Sequence, residues 1–246
     1  MTNYKLFYVA IFIKKLNFAK KLHIIWWYMT LSEAIENRHS VRAYTDREIE
    51  EEKLLVIGEE TERCNKESGL NLQLVLNEPK AFDSTLAHYG KFSGVRNYIA
   101  CVGKKDKSLA EKVGYYGERL VLLIQTLGLN SCWVALTFRK IPGSFTINKE
   151  EKLVCLIAFG YGRDNGKSHK IKKYSDVCDV KNPPLWLENG VKASLLAPTS
   201  VNQQKFFISS DKEGKVTIRR KGLGIYTKID LGIVKYHFEV GSQTTI

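Results

Sequence analysis

The sequence has little of what marks several common classes of protein. It contains only five prolines among 246 residues and no low-complexity tract, so we predict an ordered globular chain. The five histidines are scattered, without an HExxH motif or a Cys/His cluster, which argues against a dedicated metal site. No helix-turn-helix, zinc or RNP-like pattern accompanies the positive charge, so nucleic acid is not the expected partner.

Cysteine is equally sparse, and its spacing argues against the common redox and metal motifs. The five cysteines are odd in number and no two are spaced as CxxC: Cys64, Cys101, Cys132, Cys155 and Cys178. Two of them, Cys101 and Cys155, lie within apolar, strand-like runs. We therefore predict buried free thiols in a reducing compartment and a cytoplasmic location.

The net charge of +12 is partly concentrated at the N-terminus, because residues 1–28 contain five lysines and no acidic residue. The longest uncharged run there is too short to span a bilayer as a helix, so we expect no stable membrane insertion. A capped helix start follows Met29 directly. Three interpretations of residues 1–28 stay open: an upstream reading-frame extension, a peripheral membrane helix, or an oligomer arm.

The periodicity of apolar residues predicts an α+β fold. Helices are predicted over 30–37, from Thr45 to about Cys64, and over 109–127, 185–196 and 226–240. Strands are predicted over 70–76, 98–102 and 153–160, with a hairpin formed by 205–210 and 215–220; residues 132–135 form a short apolar run.

Asn182-Pro183-Pro184 interrupts the chain, and the order of helix and strand patterns then repeats in shortened form. We therefore predict an N-terminal extension at 1–28, a first half at 29–180 and a second half at 181–246. Two unrelated α/β pieces are the alternative.

Four short strings carry the chemistry, and the first surrounds His39. Arg38 and Arg42 are four residues apart with Ser40 between them. On one helical turn or a tight bend, two guanidinium groups and a hydroxyl can converge on a phosphate, with His39 near a neighbouring hydroxyl. Taken alone, a solvated basic turn explains this string as well.

The other strings follow later in the chain. Pro198–Gln204 supplies hydroxyls and amides that can bond to the edge of a heteroaromatic ring, although ordinary turn chemistry has the same composition. Gly128–Val134 is the third string. The fourth is Leu156–Gly162 with the basic stretch after it, in which Lys170 and Lys172 either approach the same phosphate or form a solvated loop.

In this order the four strings resemble the nitroreductase family of flavoenzymes, and in particular its internally duplicated, single-chain branch. The resemblance covers roughly residues 30–246 and combines RxSxR, GLxSCW, a strand ending in GYG, and APTxxNQQ. It implies an antiparallel-rich mixed sheet flanked by helices, with two pseudo-symmetric halves in one chain. Because the family usually builds its flavin site from two subunits, we expect a monomeric pseudo-dimer or a homodimer here.

The resemblance also implies the cofactor, FMN, and the residues that hold it. Its phosphate would contact Arg38, Ser40, Lys170 and Lys172. His39 would lie by the ribityl chain. Arg42 and Lys91 would lie near the pyrimidine edge of the ring. The backbone of Trp133 and Val134 would approach the ring near N5. The opposite wall would consist of Pro198, Thr199, Ser200 and Asn202.

Family members take a hydride from NADH or NADPH and then reduce a small molecule, such as a nitroaromatic or a quinone, by a ping-pong mechanism. The flavin carries this chemistry, so no catalytic protein residue is expected. Three alternatives stay open: a flavin-dependent dehalogenase or flavin-consuming enzyme of the same fold, a degenerate FMN-binding or sensor protein, and a basic nucleic-acid or membrane-surface protein. One departure from the family pattern is Val134-Ala135-Leu136, where a glycine pair is common.

Overall fold

A computed structural model describes residues 29–211 and 213–245, so the expectations for residues 1–28 lie outside the described part. The helices are α1 (Leu31–Asn37), α2 (Glu51–Ser68), α3 (Thr85–Tyr89), α4 (Leu109–Thr126), α5 (Tyr174–Val177), α6 (Leu185–Leu195) and α7 (Thr227–Ser242). The strands are β1 (Asn71–Val75), β2 (Asn97–Lys104), β3 (Asn130–Val134), β4 (Glu151–Gly160), β5 (Phe206–Ser210) and β6 (Val216–Arg220). No described helix has the length and apolar character needed to cross a membrane.

A four-stranded antiparallel sheet forms the centre of the fold, in the order β1-β2-β4-β3. The inner strands β2 and β4 are largely buried because apolar side chains cover both faces of the sheet. Among the described residues, parallel pairing is confined to isolated bridges, one of which joins Ser40 to Ser131 on β3. All five cysteines are buried and free, as the sequence predicted.

The order helix, strand, strand, helix occurs twice, as α2-β1-β2-α4 with α3 inserted and as α6-β5-β6-α7. The helices that end each set, α4 and α7, pack closely against each other. A Cβ atom at Gly114 would collide with the carbonyl oxygen of Ile229, and one at Gly232 with that of Glu111. Ile229 and Glu111 each lie three residues before a glycine of this pair, so the contact is reciprocal, as it is between elements related by a two-fold axis.

Most predicted elements are present within a few residues of their expected bounds, but the predicted helix start at Thr45 was wrong. The helix begins at Glu51, and Thr45 is extended instead. Its N–H and its hydroxyl both donate to the carbonyl oxygen of Tyr161, at 2.8 and 3.1 Å. The hydroxyl that was expected to cap a helix therefore joins this segment to the end of β4.

Candidate functional site

The Arg38–Arg42 segment runs along the open edge of β3. Helix α1 ends at Asn37, and Arg38 already has extended dihedral angles of −72° and 121°. The N–H of Val41 donates to the carbonyl oxygen of Ser131 at 3.1 Å. The expected helical turn or tight bend is therefore absent from this string, which forms an extended segment. In such a segment alternate side chains point to the same side.

Arg38, Ser40 and Arg42 all lie near the thiol of Cys132 on β3. Burial raises the pKa of that thiol, while the charges of Arg42 and Arg38 and a hydrogen bond with Ser40 oppose the rise. The three residues of the string therefore lie near the same thiol, and their convergence on a phosphate stays a prediction.

Arg38 has the most unusual environment of the three. Its side chain is only 3% exposed, and its Nε atom has no hydrogen-bond partner among the described residues. Burial lowers the pKa of the guanidinium, and the nearby Glu118 carboxylate opposes this effect. A buried cation with an unsatisfied donor is costly, so this position is suited to an anionic ligand.

Arg42 and Lys91 lie close together although they are distant in sequence. The N–H of Ser93 donates to the carbonyl oxygen of Arg42 at 3.0 Å, and the Arg42 guanidinium lies 5.9 Å from the Phe92 ring. Both basic side chains are exposed, and Lys91 has a positive φ of 61°. Both side chains are therefore accessible to a ligand.

Trp133 turns its side chain away from this edge and its backbone toward it. The indole packs on α4 at Gly117, and its Nε1 donates to Glu118 Oε2 at 2.8 Å. Residues two apart in a strand direct their N–H groups to the same side, so the N–H of Trp133 points to the side where Ser131 meets Val41. The backbone of Val134 faces the opposite side and pairs with Leu156 on β4.

A buried pair behind Trp133 was not anticipated from the sequence. Glu118 Oε1 lies 2.8 Å from His237 Nε2, and both side chains are fully buried. His237 Nδ1 lies 3.0 Å from the carbonyl oxygen of Ala193. Both ring nitrogens of His237 therefore face oxygen atoms, one of Glu118 and one of Ala193. The sequence signal that could have indicated this pair is Glu118, an acidic residue on the apolar face of α4.

The Pro198–Gln204 loop has strained backbone and is held by a buried acid on α7. Val201, Asn202 and Gln204 have positive φ angles of 46°, 53° and 44°, and the conformation is especially unfavourable for β-branched valine. Asp230 Oδ1 accepts from the N–H of Ser200 at 2.9 Å, and its Oδ2 accepts from Gln203 Nε2 at 2.6 Å. Burial raises the pKa of Asp230 to about 6, against these two bonds.

The same loop is bonded to the basic stretch after β4. Asn202 Nδ2 and Gln204 Nε2 donate to the carbonyl oxygen of Lys170 at 2.9 and 2.8 Å. The ammonium of Lys172 donates to the carbonyl oxygens of Gln203 and Gln204, both at 2.9 Å. Lys172 therefore fastens the loop, whereas the side chain of Lys170 is exposed.

The remaining expected wall residues, Pro198 and Thr199, lie half-buried at the start of the loop. Thr199 Oγ1 accepts from the N–H of Gln204 at 3.0 Å. The hydroxyl therefore stabilises the bend itself, and the loop presents few groups that are free of internal bonds.

Residues 166–169 connect the two groups of residues. A Cβ atom at Gly166 would lie 2.8 Å from the Cβ atom of His39. His169 Nε2 lies 3.1 Å from the carbonyl oxygen of Leu195, just before the Pro198–Gln204 loop. Burial lowers the pKa of His39, and the charges of Arg38 and His169 lower it further. The strings of the two predicted halves thus lie near one another.

Comparisons with known proteins identify the family of the chain and similar folds. A family model described as "Putative TM nitroreductase" matches residues 30–242. A "putative nitroreductase" structure from Thermotoga maritima is similar, with 22% identity and a TM-score of 0.60 over 87% of this chain and 84% of that one. A second, from Desulfovibrio desulfuricans in complex with FMN, has 17% identity and a TM-score of 0.50 over 63% and 99%.

At these identities the structural likeness shows the fold alone, and it confirms the nitroreductase-like α+β fold that the sequence predicted. No curated protein matches the chain significantly.

Proposed function

Since the chain belongs to the nitroreductase family whose model it matches over residues 30–242, we propose that it is an FMN-dependent oxidoreductase. Its electron donor is NADH or NADPH, and its second substrate is a small acceptor such as a nitroaromatic or a quinone. The bound flavin supplies the electron transfer, and the protein supplies binding, orientation and charge.

The observation that carries the proposal is the buried Arg38 guanidinium. Its unsatisfied Nε and the hydroxyl of Ser40 lie on the same side of an extended segment. The phosphate of FMN offers the anionic acceptor that Arg38 Nε lacks, and charge-assisted bonds of this kind are the stronger ones. The residues present therefore fit the group.

The other residues of the site have matching roles in this proposal. Arg42 and Lys91 place positive charge beside the pyrimidine edge of the ring, where it favours the reduced, anionic form. The N–H of Trp133 would face the ring from β3, and His39 would lie by the ribityl chain. The opposite wall comes from the second half of the chain: Pro198, Thr199, Ser200 and Asn202.

We assign the two lysines of the basic stretch different roles. Lys170 has an exposed side chain that can reach a phosphate, whereas the ammonium of Lys172 bonds to the carbonyl oxygens of Gln203 and Gln204. Lys172 therefore orients the opposite wall in this proposal and does not need to contact the cofactor.

The reciprocal contact of Gly114 and Gly232 supports the proposal that residues 29–180 and 181–246 are pseudo-symmetric halves. A site between two such halves needs no second chain. We therefore propose that the monomer, or each chain of a homodimer, builds a complete site.

The test is FMN binding by an Arg38→Ala variant. Loss of a charge-assisted phosphate contact should weaken FMN affinity by about 1.5–3 kcal/mol, or at least tenfold. Fluorescence titration of apoprotein with FMN measures the affinity. Arg47→Ala is the matched control, because that guanidinium lies over the Tyr161 ring and pairs with Glu50.

Equal FMN affinities of the wild type and Arg38→Ala would refute the phosphate assignment. Anaerobic addition of NADH or NADPH to the FMN-loaded wild type tests the enzyme proposal separately. Bleaching of the flavin band supports turnover, whereas a band that persists with both nucleotides indicates a binding or sensor protein.

A further inference from the structure

Three exposed apolar residues project near the N-terminal end of α7, and we call them the apolar tip: Val201, Leu223 and Ile225. Their side chains are 81%, 92% and 55% exposed. Hydrogen bonds hold their segments together, because Gln203 Nε2 donates to the carbonyl oxygen of Ile225 at 2.7 Å. The ammonium of Lys205 bonds to the carbonyl oxygen of Leu223.

The surroundings of the tip are strongly basic. The segments 167–173, 198–210 and 215–229 contain no acidic residue. We call the following residues of these segments the basic rim: Lys170, Lys205, Arg219, Arg220, Lys221 and Lys228. The acid that follows them, Asp230, is buried and bonded to Ser200 and Gln203. An exposed acid beside the rim is Asp176, whose carbonyl oxygen accepts from the Lys221 ammonium at 2.7 Å, so the basic residues of the rim outnumber it.

Contacts on the β5-β6 hairpin show that the rim is continuous with the tip. The N–H of Lys221 donates to the carbonyl oxygen of Lys205 at 2.9 Å. The Arg219 guanidinium and the Lys221 ammonium lie 5.1 and 4.9 Å from the ring of Phe207. On the other side, the carbonyl oxygen of Lys170 accepts from Asn202, the neighbour of Val201.

This combination selects one kind of partner. Leu223 is an exposed leucine between Gly222 and Gly224. Its transfer from water into an apolar medium lowers the free energy. Lys and Arg residues near an anionic lipid surface each contribute about 1 kcal/mol of attraction. A nucleic acid would use the basic rim but would leave Leu223 and Ile225 in water. We propose that the apolar tip and basic rim dock peripherally onto an anionic phospholipid membrane.

Docking would also bear on the electron acceptor, and this part rests on the proposed function. The tip includes Val201, which belongs to the Pro198–Gln204 loop that we assign to one wall of the flavin site. A protein docked through this face holds that wall close to the lipid surface. Apolar electron acceptors dissolved in the membrane, such as quinones, are then the substrates with the shortest path from the lipid to the flavin site.

The test is cosedimentation of the full chain with vesicles of phosphatidylcholine, with and without phosphatidylglycerol. We expect binding only to the anionic vesicles, and weaker binding at high salt. Leu223→Ser with Ile225→Ser should weaken it about tenfold or more, because two apolar side chains no longer enter the lipid. Leu185→Ser is the matched control, since that leucine is 70% exposed at the start of α6 and belongs to neither the tip nor the rim.

Several outcomes would overturn the proposal. One is equal vesicle binding by the double variant and the wild type, which would assign the binding to other residues, including the five lysines of residues 1–28. Failure of the wild type to bind anionic vesicles is another. A third is binding to a DNA duplex as tight as to vesicles and unaffected by the double substitution, which would indicate a polyanion site.

FMN titration of the same variants separates this proposal from the proposed function. A double variant that retains FMN but loses vesicle binding supports the docking surface. A wild type that binds anionic vesicles but no FMN would refute the flavin function and leave the docking surface intact.

Discussion

Replacing Gly232 by alanine should destabilise the protein, because the contact between α4 and α7 leaves no room for a methyl group. The added Cβ would collide with the carbonyl oxygen of Glu111 and would lie 2.6 Å from the backbone nitrogen of Tyr115. Both obstacles are backbone atoms of a helix, so no side chain can rotate away. The two helices must separate instead.

The magnitude follows from two opposing effects. Alanine in a helix is favoured over glycine by roughly 1 kcal/mol, whereas overpacking of a close contact costs about 1–3 kcal/mol and occasionally more. Separation of the helices would also stretch three bonds between them, from Tyr115 to Glu239, Glu111 to Lys235 and Glu118 to His237, all 2.6–2.8 Å long. We therefore expect a net loss of about 2 kcal/mol in the free energy of unfolding.

Urea denaturation followed by circular dichroism measures the effect, and Gly58→Ala is the matched control. A Cβ at Gly58, in the middle of α2, would meet nothing within 4 Å. The same substitution there should stabilise the protein by about 0.5–1 kcal/mol. If Gly232→Ala were stabilising to the same extent as Gly58→Ala, the argument from the close helix contact would be refuted.

Two further predictions concern buried acidic groups. The pKa of Asp230 is raised to about 6 from an ordinary 3.8, so the folded state binds the proton more tightly; this stabilisation is complete below about pH 4 and is lost as the pH rises to about 6. Asp230→Asn should therefore flatten the dependence of the urea midpoint on pH between 4 and 7, and an unchanged slope would contradict the assignment. Glu118→Ala should destabilise the protein by about 3–5 kcal/mol, because it leaves the buried His237 ring and the Trp133 N–H without their acceptor. Its urea midpoint and tryptophan emission should both change, and a variant as stable as the wild type would show that the pair is not structurally important.

The sequence predicted much of the secondary structure because the spacing of apolar residues and the residues that begin or end helices and strands are local properties. The run that became α4 has apolar residues at helical spacing and ends before Gly128, which has a φ of 74°. The hairpin β5-β6 and the helix α7 were predicted within two residues of their bounds. Thr30 forms the expected cap, with the N–H of Glu33 donating to its hydroxyl at 3.2 Å.

The family and the residues grouped around Arg38 were also accessible from the chain alone. The four short strings occur in the same order as in the nitroreductase family, and this shared order is sufficient to indicate the resemblance. What such a string does not contain is its own backbone conformation. Arg38 and Arg42 would share one side of a helical turn, but only an extended segment also places Ser40 on that side.

Only the tertiary structure decided which partner each polar group has. Thr45 is a residue type that commonly caps helices, but its hydroxyl donates instead to the carbonyl oxygen of Tyr161 at the end of β4. Lys172 was expected at a phosphate, but the Pro198–Gln204 loop lies within reach of its ammonium. Glu118 and His237 are 119 residues apart, and nothing local to either predicts the pair. Local patterns determined the elements and the family of this protein, whereas long-range packing determined its buried partnerships, because a hydrogen bond depends on which atoms the fold brings together.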